Sequence, residues 1–202
     1  SQMGIYFNEV YNYNMKYSGS SLPNWYLGMS AVYAGNDIYA FGGDDCIGCP
    51  RDQIFGYNPA NDTIWPLTAT LPSGRAFASA AWDGGEFIYI FGGQTGWWSG
   101  YLDEILLFNI TDGSITTLPY TLPTPLMGTS AVWTGQYAYI FGGYNGAPED
   151  EIYRFDPADP ANITLVGYLP TGRYLTSALW DGQYAYIFGG FDDCWYFCTL
   201  DQ

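Results

Sequence analysis

The apolar positions of this 202-residue chain fall in short runs broken by Gly, Pro, Asn and Asp, and no segment sustains a helical period. One run recurs as Ser30-Ala31-Val32-Tyr33, Ser79-Ala80-Ala81-Trp82, Ser130-Ala131-Val132-Trp133 and Ser177-Ala178-Leu179-Trp180. Each reads as a strand that starts small, which lets it crowd toward an axis. A tight turn follows (Gly35-Asn36, Asp83-Gly84-Gly85, Thr134-Gly135, Asp181-Gly182), built from residues that tolerate positive φ. A second apolar run then ends in Phe-Gly-Gly, at Phe41, Phe91, Phe141 and Phe188, with spacings of 50, 50 and 47 residues. The paired glycines mark a place where no side chain fits against neighbouring backbone.

A variable loop leads to a third strand (Gln53 to Tyr57, Glu104 to Phe108, Glu151 to Phe155). A turn such as Asn58-Pro59-Ala60-Asn61-Asp62 leads to a fourth (Thr63 to Leu67). Leu-Pro opens each unit, at Leu22, Leu71, Leu122 and Leu169. Four short strands repeated about every 50 residues are the signature of a propeller blade. The expected fold is all-β, one domain over residues 1–202, with blades at about 22–70, 71–121, 122–168, and 169–202 plus 1–21.

The Phe-Gly-Gly pairs, the Tyr two residues before each Phe, the Asn/Asp-Pro turn and Trp65 resemble kelch repeats. Arg75 and Arg173, just after Leu-Pro, match an Arg common at that place in the family; Tyr26 and Leu126 stand there in the other two units. The resemblance covers nearly the whole chain. It implies a kelch-type β-propeller of four repeats of four antiparallel strands, and a loop face that commonly binds partners. Kelch propellers serve many unrelated functions, so fold alone assigns none. The fourth unit stops level with the start of its third strand, while Ile5-Tyr6-Phe7-Asn8 resembles Leu106-Leu107-Phe108-Asn109. The N-terminal strands are therefore expected to complete the last blade, as kelch propellers close, which removes open sheet edges. Two alternatives are completion by another copy of the chain, and membership in a longer propeller.

Charge narrows the partners. Lys plus Arg is 5, Asp plus Glu is 20, and the net charge is −15. Such a surface repels phosphate backbones, so nucleic acid is excluded. No run of 18 apolar residues offers a membrane span. The sequons at Asn61, Asn109 and Asn162 fall in the same region of successive repeats, in or beside a turn, which points to N-glycans and secretion. Cys46 and Cys49 lie in one variable loop, Cys194 and Cys198 in the corresponding loop of the fourth repeat. An even count in loops suits disulfides in an oxidising compartment. Both local pairs and cross-repeat pairs fit the spacing. Zinc would need all four cysteines, because the chain has no His. The expectation is disulfides and no metal.

The variable loops with the Leu-Pro loops carry aromatics: Trp25, Tyr26, Trp97, Trp98, Tyr101, Tyr144, Trp195 and Tyr196. Flat rings stack on sugars or anchor protein contacts, and in the bland reading they cover loop backbone. Arg75 and Arg173 are candidates for an anion clamp at the mouth, with bonding to loop carbonyls or acidic neighbours the favoured role. Asp44-Asp45 and Asp192-Asp193 could in principle hold Ca²⁺, but turn chemistry is favoured over a cation. The absence of His removes Ser-His-Asp triads and His-ligated metals, so the activity of kelch-type copper oxidases does not carry over. No cofactor is expected and no catalytic residue is assigned. The first expectation is a non-catalytic, secreted glycoprotein that recognises a protein or assembles into a coat or fibre. A carbohydrate-binding lectin using the aromatic loops is second, and a carboxylate-based glycan-processing enzyme third.

Overall fold

A computed structural model describes residues 19–46, 48–97, 99–159 and 163–192. The described residues form β-strands, turns and loops, with no helix among them. Blade 1 is β1 (Ser30–Ala34), β2 (Asp37–Phe41), β3 (Gln53–Asn58) and β4 (Thr63–Thr70), an antiparallel sheet in that order. Blade 2 is β5 (Ser79–Trp82), β6 (Phe87–Phe91), β9 (Glu104–Asn109) and β10 (Ile115–Thr121). A small hairpin, β7 (Gln94–Gly96) with β8 (Ser99–Tyr101), rises from its variable loop. Blade 3 is β11 (Ser130–Trp133), β12 (Ala138–Tyr144), β13 (Pro148–Phe155) and β14 (Thr164–Tyr168). Blade 4 shows β15 (Ser177–Trp180) paired with β16 (Ala185–Phe188). The expected outer strands of blade 4, drawn from the N-terminus, lie outside the described residues.

The turn residues act through their side chains. Asp83 Oδ1 accepts from the N–H groups of Gly85 and Phe87, at 2.7 and 3.1 Å, closing the β5–β6 turn. Asp181 Oδ1 does the same for Gln183 and Tyr184, each at 2.7 Å. Asn58 Oδ1 caps the β3–β4 turn by accepting from the N–H groups of Ala60 and Asn61. These short polar side chains take over the role of a backbone acceptor.

Blades stack through alternating faces of their strands. Tyr39, Phe41 and Ile54 of blade 1 pack against Ile88, Ile90, Leu106 and Phe108 of blade 2. Tyr89, Phe91 and Ile105 of blade 2 pack against Ala138, Ile140, Tyr153 and Phe155 of blade 3. Val132, Tyr139, Phe141 and Ile152 of blade 3 pack against Ala178, Trp180, Ala185 and Ile187 of blade 4. The period of two along each strand thus supplies a front face and a rear face to every blade.

Backbone hydrogen bonds repeat the same joint. The second Gly of the first three Phe-Gly-Gly motifs donates to the next blade: Gly43 to the Arg75 carbonyl, Gly93 to Leu126 and Gly143 to Arg173, at 2.8, 2.8 and 2.9 Å. The first Gly sits under that carbonyl. A Cβ on Gly42, Gly92 or Gly142 would lie 2.1–2.3 Å from the oxygen, and each has positive φ. This is the physical reason for the paired glycines. A second relay runs through positive-φ residues. Phe77 donates to Gly28, Gly128 to Phe77 and Leu175 to Gly128, each at 2.7 Å.

Candidate functional site

Antiparallel strands place the Leu-Pro loops and the loops after Phe-Gly-Gly on one face, stitched together by two-residue bridges. These pair Leu27 with Asp44, Ala76 with Gln94, Met127 with Tyr144, and Tyr174 with Phe191. On this face four rings touch in sequence. Tyr101 meets Tyr144 edge-on at 5.8 Å, Tyr144 meets Tyr174 at 4.9 Å, and Tyr174 meets Phe191 at 5.8 Å. These spacings fall in the favourable range for aromatic pairs. The row starts at the β7–β8 hairpin of blade 2, crosses blade 3 and ends on blade 4, where Phe191 is 49% exposed. The Tyr101 hydroxyl is held above its ordinary pKa, first by burial and then by the neighbouring Tyr144.

Of the aromatics marked in the sequence, Tyr101 and Tyr144 join this row. Tyr174 and Phe191 complete it; both directly follow motif residues, Arg173 and Gly190. Trp97 is half exposed and lies over the Cys-containing loop of blade 1, where a Cβ on Gly48 would come 3.2 Å from its Cβ. Trp25 is exposed at the Leu-Pro loop of blade 1, and Tyr26 turns its ring edge-on to Phe55 at 5.7 Å. Tyr26, Phe55, Trp65 and Arg51 line a cleft of about 550 Å³ on the rear of blade 1. Trp98, Trp195 and Tyr196 lie outside the described residues, as do Asn162, Cys194 and Cys198.

Cys46 and Cys49 are joined as a local disulfide, with Cα atoms 5.2 Å apart. This selects the local alternative for that pair. Asp45 is held by Arg51 in an ion pair of 2.7 Å. Asp44 is buried in the same loop, and burial pushes its carboxyl up, countered in part by the N–H groups of Gly48 and Cys49. Its counterpart Gln94 is buried too.

The two arginines are not on the open face. Arg75 is 1% exposed, donates to the Gly92 carbonyl at 3.1 Å and pairs with Glu104 at 2.5 Å. Burial lowers its pKa and the Glu104 carboxylate offsets the effect. Arg173, also buried, donates to the carbonyls of Thr171 and Gly189, each at 3.3 Å. Each guanidinium fills the space between its own Leu-Pro loop and the Phe-Gly-Gly turn of the same blade. They are therefore removed from the candidate binding face: an anion clamp at the mouth would need exposed donors, and these guanidinium groups are buried inside the body.

Asn61 is exposed in the β3–β4 turn, where its Oδ1 accepts from the Thr63 hydroxyl at 2.6 Å. Asn109 ends β9, with its Oδ1 accepting from the Thr111 N–H at 2.7 Å. Both sit at the end of the blades opposite the aromatic row, because the third-to-fourth turns and the variable loops lie at opposite ends of the third strand.

Comparison with known proteins decides the family. The KLHDC2/KLHL20/DRC7 kelch-repeats domain matches residues 13–190. The chain is a kelch-repeat protein. A "Kelch domain-containing protein" of Archaeoglobus fulgidus is 39% identical over 80 residues, 40% of this chain and 24% of the relative. The matched stretch thus spans about a quarter of that relative's length. Kelch domains mediate protein–protein interactions, and that is the class of function the family gives to this domain. No helix among the described residues is long and apolar enough to cross a membrane.

Proposed function

We propose that this kelch domain is a non-catalytic, extracellular glycoprotein module that recognises a protein through its loop face. The observation that carries this is the row Tyr101–Tyr144–Tyr174–Phe191. Rings already locked against one another lose little freedom when a partner covers them, which is how aromatic anchors concentrate binding energy. The chain's charge of −15 favours a partner with a basic or neutral contact surface. The sequons at Asn61 and Asn109, on the opposite end of the blades, would carry glycans without covering the row, and the Cys46–Cys49 pair suits an oxidising compartment.

The test is selection of peptides from a displayed library on the purified domain, beside a glycan array. Peptide binders that weaken at least about tenfold on Tyr144→Ala, a change of about 1.4 kcal/mol, are the expected result. Peptide binders indifferent to Tyr144→Ala and Tyr174→Ala would remove the row as the site. Glycan binding lost in the same variants would replace the reading with a lectin.

A further inference from the structure

The loop face has little backbone and little positive charge to offer a partner. Its four bridges each exchange both backbone hydrogen bonds, Leu27 with Asp44, Ala76 with Gln94, Met127 with Tyr144 and Tyr174 with Phe191, at 2.8–3.1 Å. These residues have spent their pairing groups on one another, which argues against recognition by an added β-strand. Four of the chain's five Lys and Arg residues are arginines, and the fifth, Lys16, lies outside the described residues. Arg75 and Arg173 are buried, and Arg154 lies over the ring of Tyr137, 4.6 Å from its centroid. Among the described residues Arg51 alone stands at the variable loops, and Asp45 holds it in an ion pair.

Carboxylates, by contrast, gather beside the tyrosines. Glu149 lies opposite Gly143 in the β12–β13 ladder and takes a hydrogen bond from Asn145, the residue after Tyr144. Asp150 follows it, and Asp103 lies two residues after Tyr101. What this face presents is thus a single file of half-buried phenol rings with acidic groups next to it. A helix would need a broader apolar groove to seat its successive turns.

We propose, building on the recognition reading above, that the row Tyr101–Tyr144–Tyr174 takes a proline-rich peptide in the polyproline II conformation, flanked by Lys or Arg. Such a helix turns every three residues over about 9 Å. The two ring steps from Tyr101 through Tyr144 to Tyr174, of 5.8 and 4.9 Å, cover on the order of one such turn. Prolines at i and i+3 therefore both meet a ring, and their flat apolar faces pack on phenol faces. Proline offers a carbonyl and no N–H, so the peptide calls for donors, and each tyrosine brings an O–H. Basic flanking residues answer Asp103, Glu149 and Asp150. Peptide and row are both stiff before they meet, so little freedom is lost on binding.

The experiment is fluorescence anisotropy on the full chain with three labelled probes: an arginine-flanked oligoproline, the same oligoproline flanked by glutamates, and an arginine-flanked Gly-Ser peptide. The first is expected to bind, more weakly as salt rises, and each of the others to bind at least about tenfold less tightly. Tyr144→Ala is expected to weaken the first probe at least about tenfold, with an unchanged circular-dichroism spectrum. Tyr144→Phe keeps the ring and loses the donor, and Asp150→Asn keeps the shape and loses the charge; each is expected to weaken it several-fold. Equal binding of the Gly-Ser peptide would overturn the proposal, because charge alone would then suffice. Oligoproline binding indifferent to both Tyr144 variants would remove it from the row. No oligoproline binding, beside library-selected peptides of other composition that are lost on Tyr144→Ala, would overturn the polyproline assignment and leave the row as a protein-recognition site.

Discussion

Blade 2 and blade 4 are written in nearly the same residues and live in different surroundings. Phe91 closes β6 and is fully buried; Phe188 closes β16 at the same place in the motif and is 54% exposed. Tyr89 is buried against Phe155 and Trp133, while its counterpart Tyr186 stands in the open and bonds Asp181 at 3.1 Å. The motif therefore encodes an interface half, and burial comes from the blade that meets it. A strand with apolar residues on both faces needs a neighbour on each side. Blade 2 has two and blade 4 has one among the described residues.

The comparison breaks most readily at the phenylalanines. Phe91→Ala removes a ring held by Phe155 at 5.6 Å in the blade 2–blade 3 core, and the expected loss is about 3–5 kcal/mol. Phe188→Ala in the monomer should cost less than about 1 kcal/mol, since the ring is already in water. Urea unfolding followed by tryptophan fluorescence measures both. Equal losses would mean that Phe188 is covered as Phe91 is, and the contrast between the blades would fall.

The glycines sharpen the same contrast at smaller scale. Gly92→Ala would drive a methyl to 2.3 Å from the Leu126 carbonyl at φ +59°, adding overpacking to left-handed strain. About 2–4 kcal/mol is expected. Gly189→Ala has the strain without the clash, so about 1–2 kcal/mol is expected. Thermal unfolding of the two variants should show a clearly larger fall in Tm for Gly92→Ala. A similar fall in both would show that strain alone governs the motif.

Much of the fold was readable because one joint is built repeatedly. Each repetition demands a small residue under the next blade's carbonyl and an aromatic two positions before Phe, so chemistry recurs at fixed spacing. What stayed hidden depends on contacts that repetition does not predict. The β7–β8 hairpin lies in a loop with Gly96 and Gly100 but no alternation of apolar positions. Arg75 is a charged residue near a loop, which by residue type suits a surface; its burial follows from Glu104, 29 residues away, and the Gly92 carbonyl. Tyr174 occupies a place held by Leu27, Ala76 and Met127 elsewhere, so no pattern marked it. Only the blade geometry puts its ring between Tyr144 and Phe191. The pairing of Cys46 with Cys49 was one of two arrangements the spacing allowed.

A last contrast separates blade 2 from blade 3 and has the smallest expected effect. Blade 2 pairs Glu104 with Arg75; blade 3 carries Glu151 in the equivalent strand position and Leu126 in place of the arginine, so the cation is missing there. Glu149 instead shares a hydrogen bond with Glu151. Burial first, and that neighbouring carboxyl second, hold the Glu149 pKa above the ordinary carboxylate range. A raised folded-state pKa means that the folded chain binds the proton more tightly than the unfolded chain. The stabilisation is complete below the ordinary carboxylate pKa and is lost as pH rises through the raised value. Glu149→Gln keeps the hydrogen-bonding shape and removes the titration. The variant should therefore gain on the wild type between about pH 4 and pH 7, by at most about 3 °C in Tm because the site is partly in water. A Tm difference that stays constant over that range would show that Glu149 and Glu151 do not share a proton. Blade 3 would then tolerate the missing arginine without any electrostatic consequence.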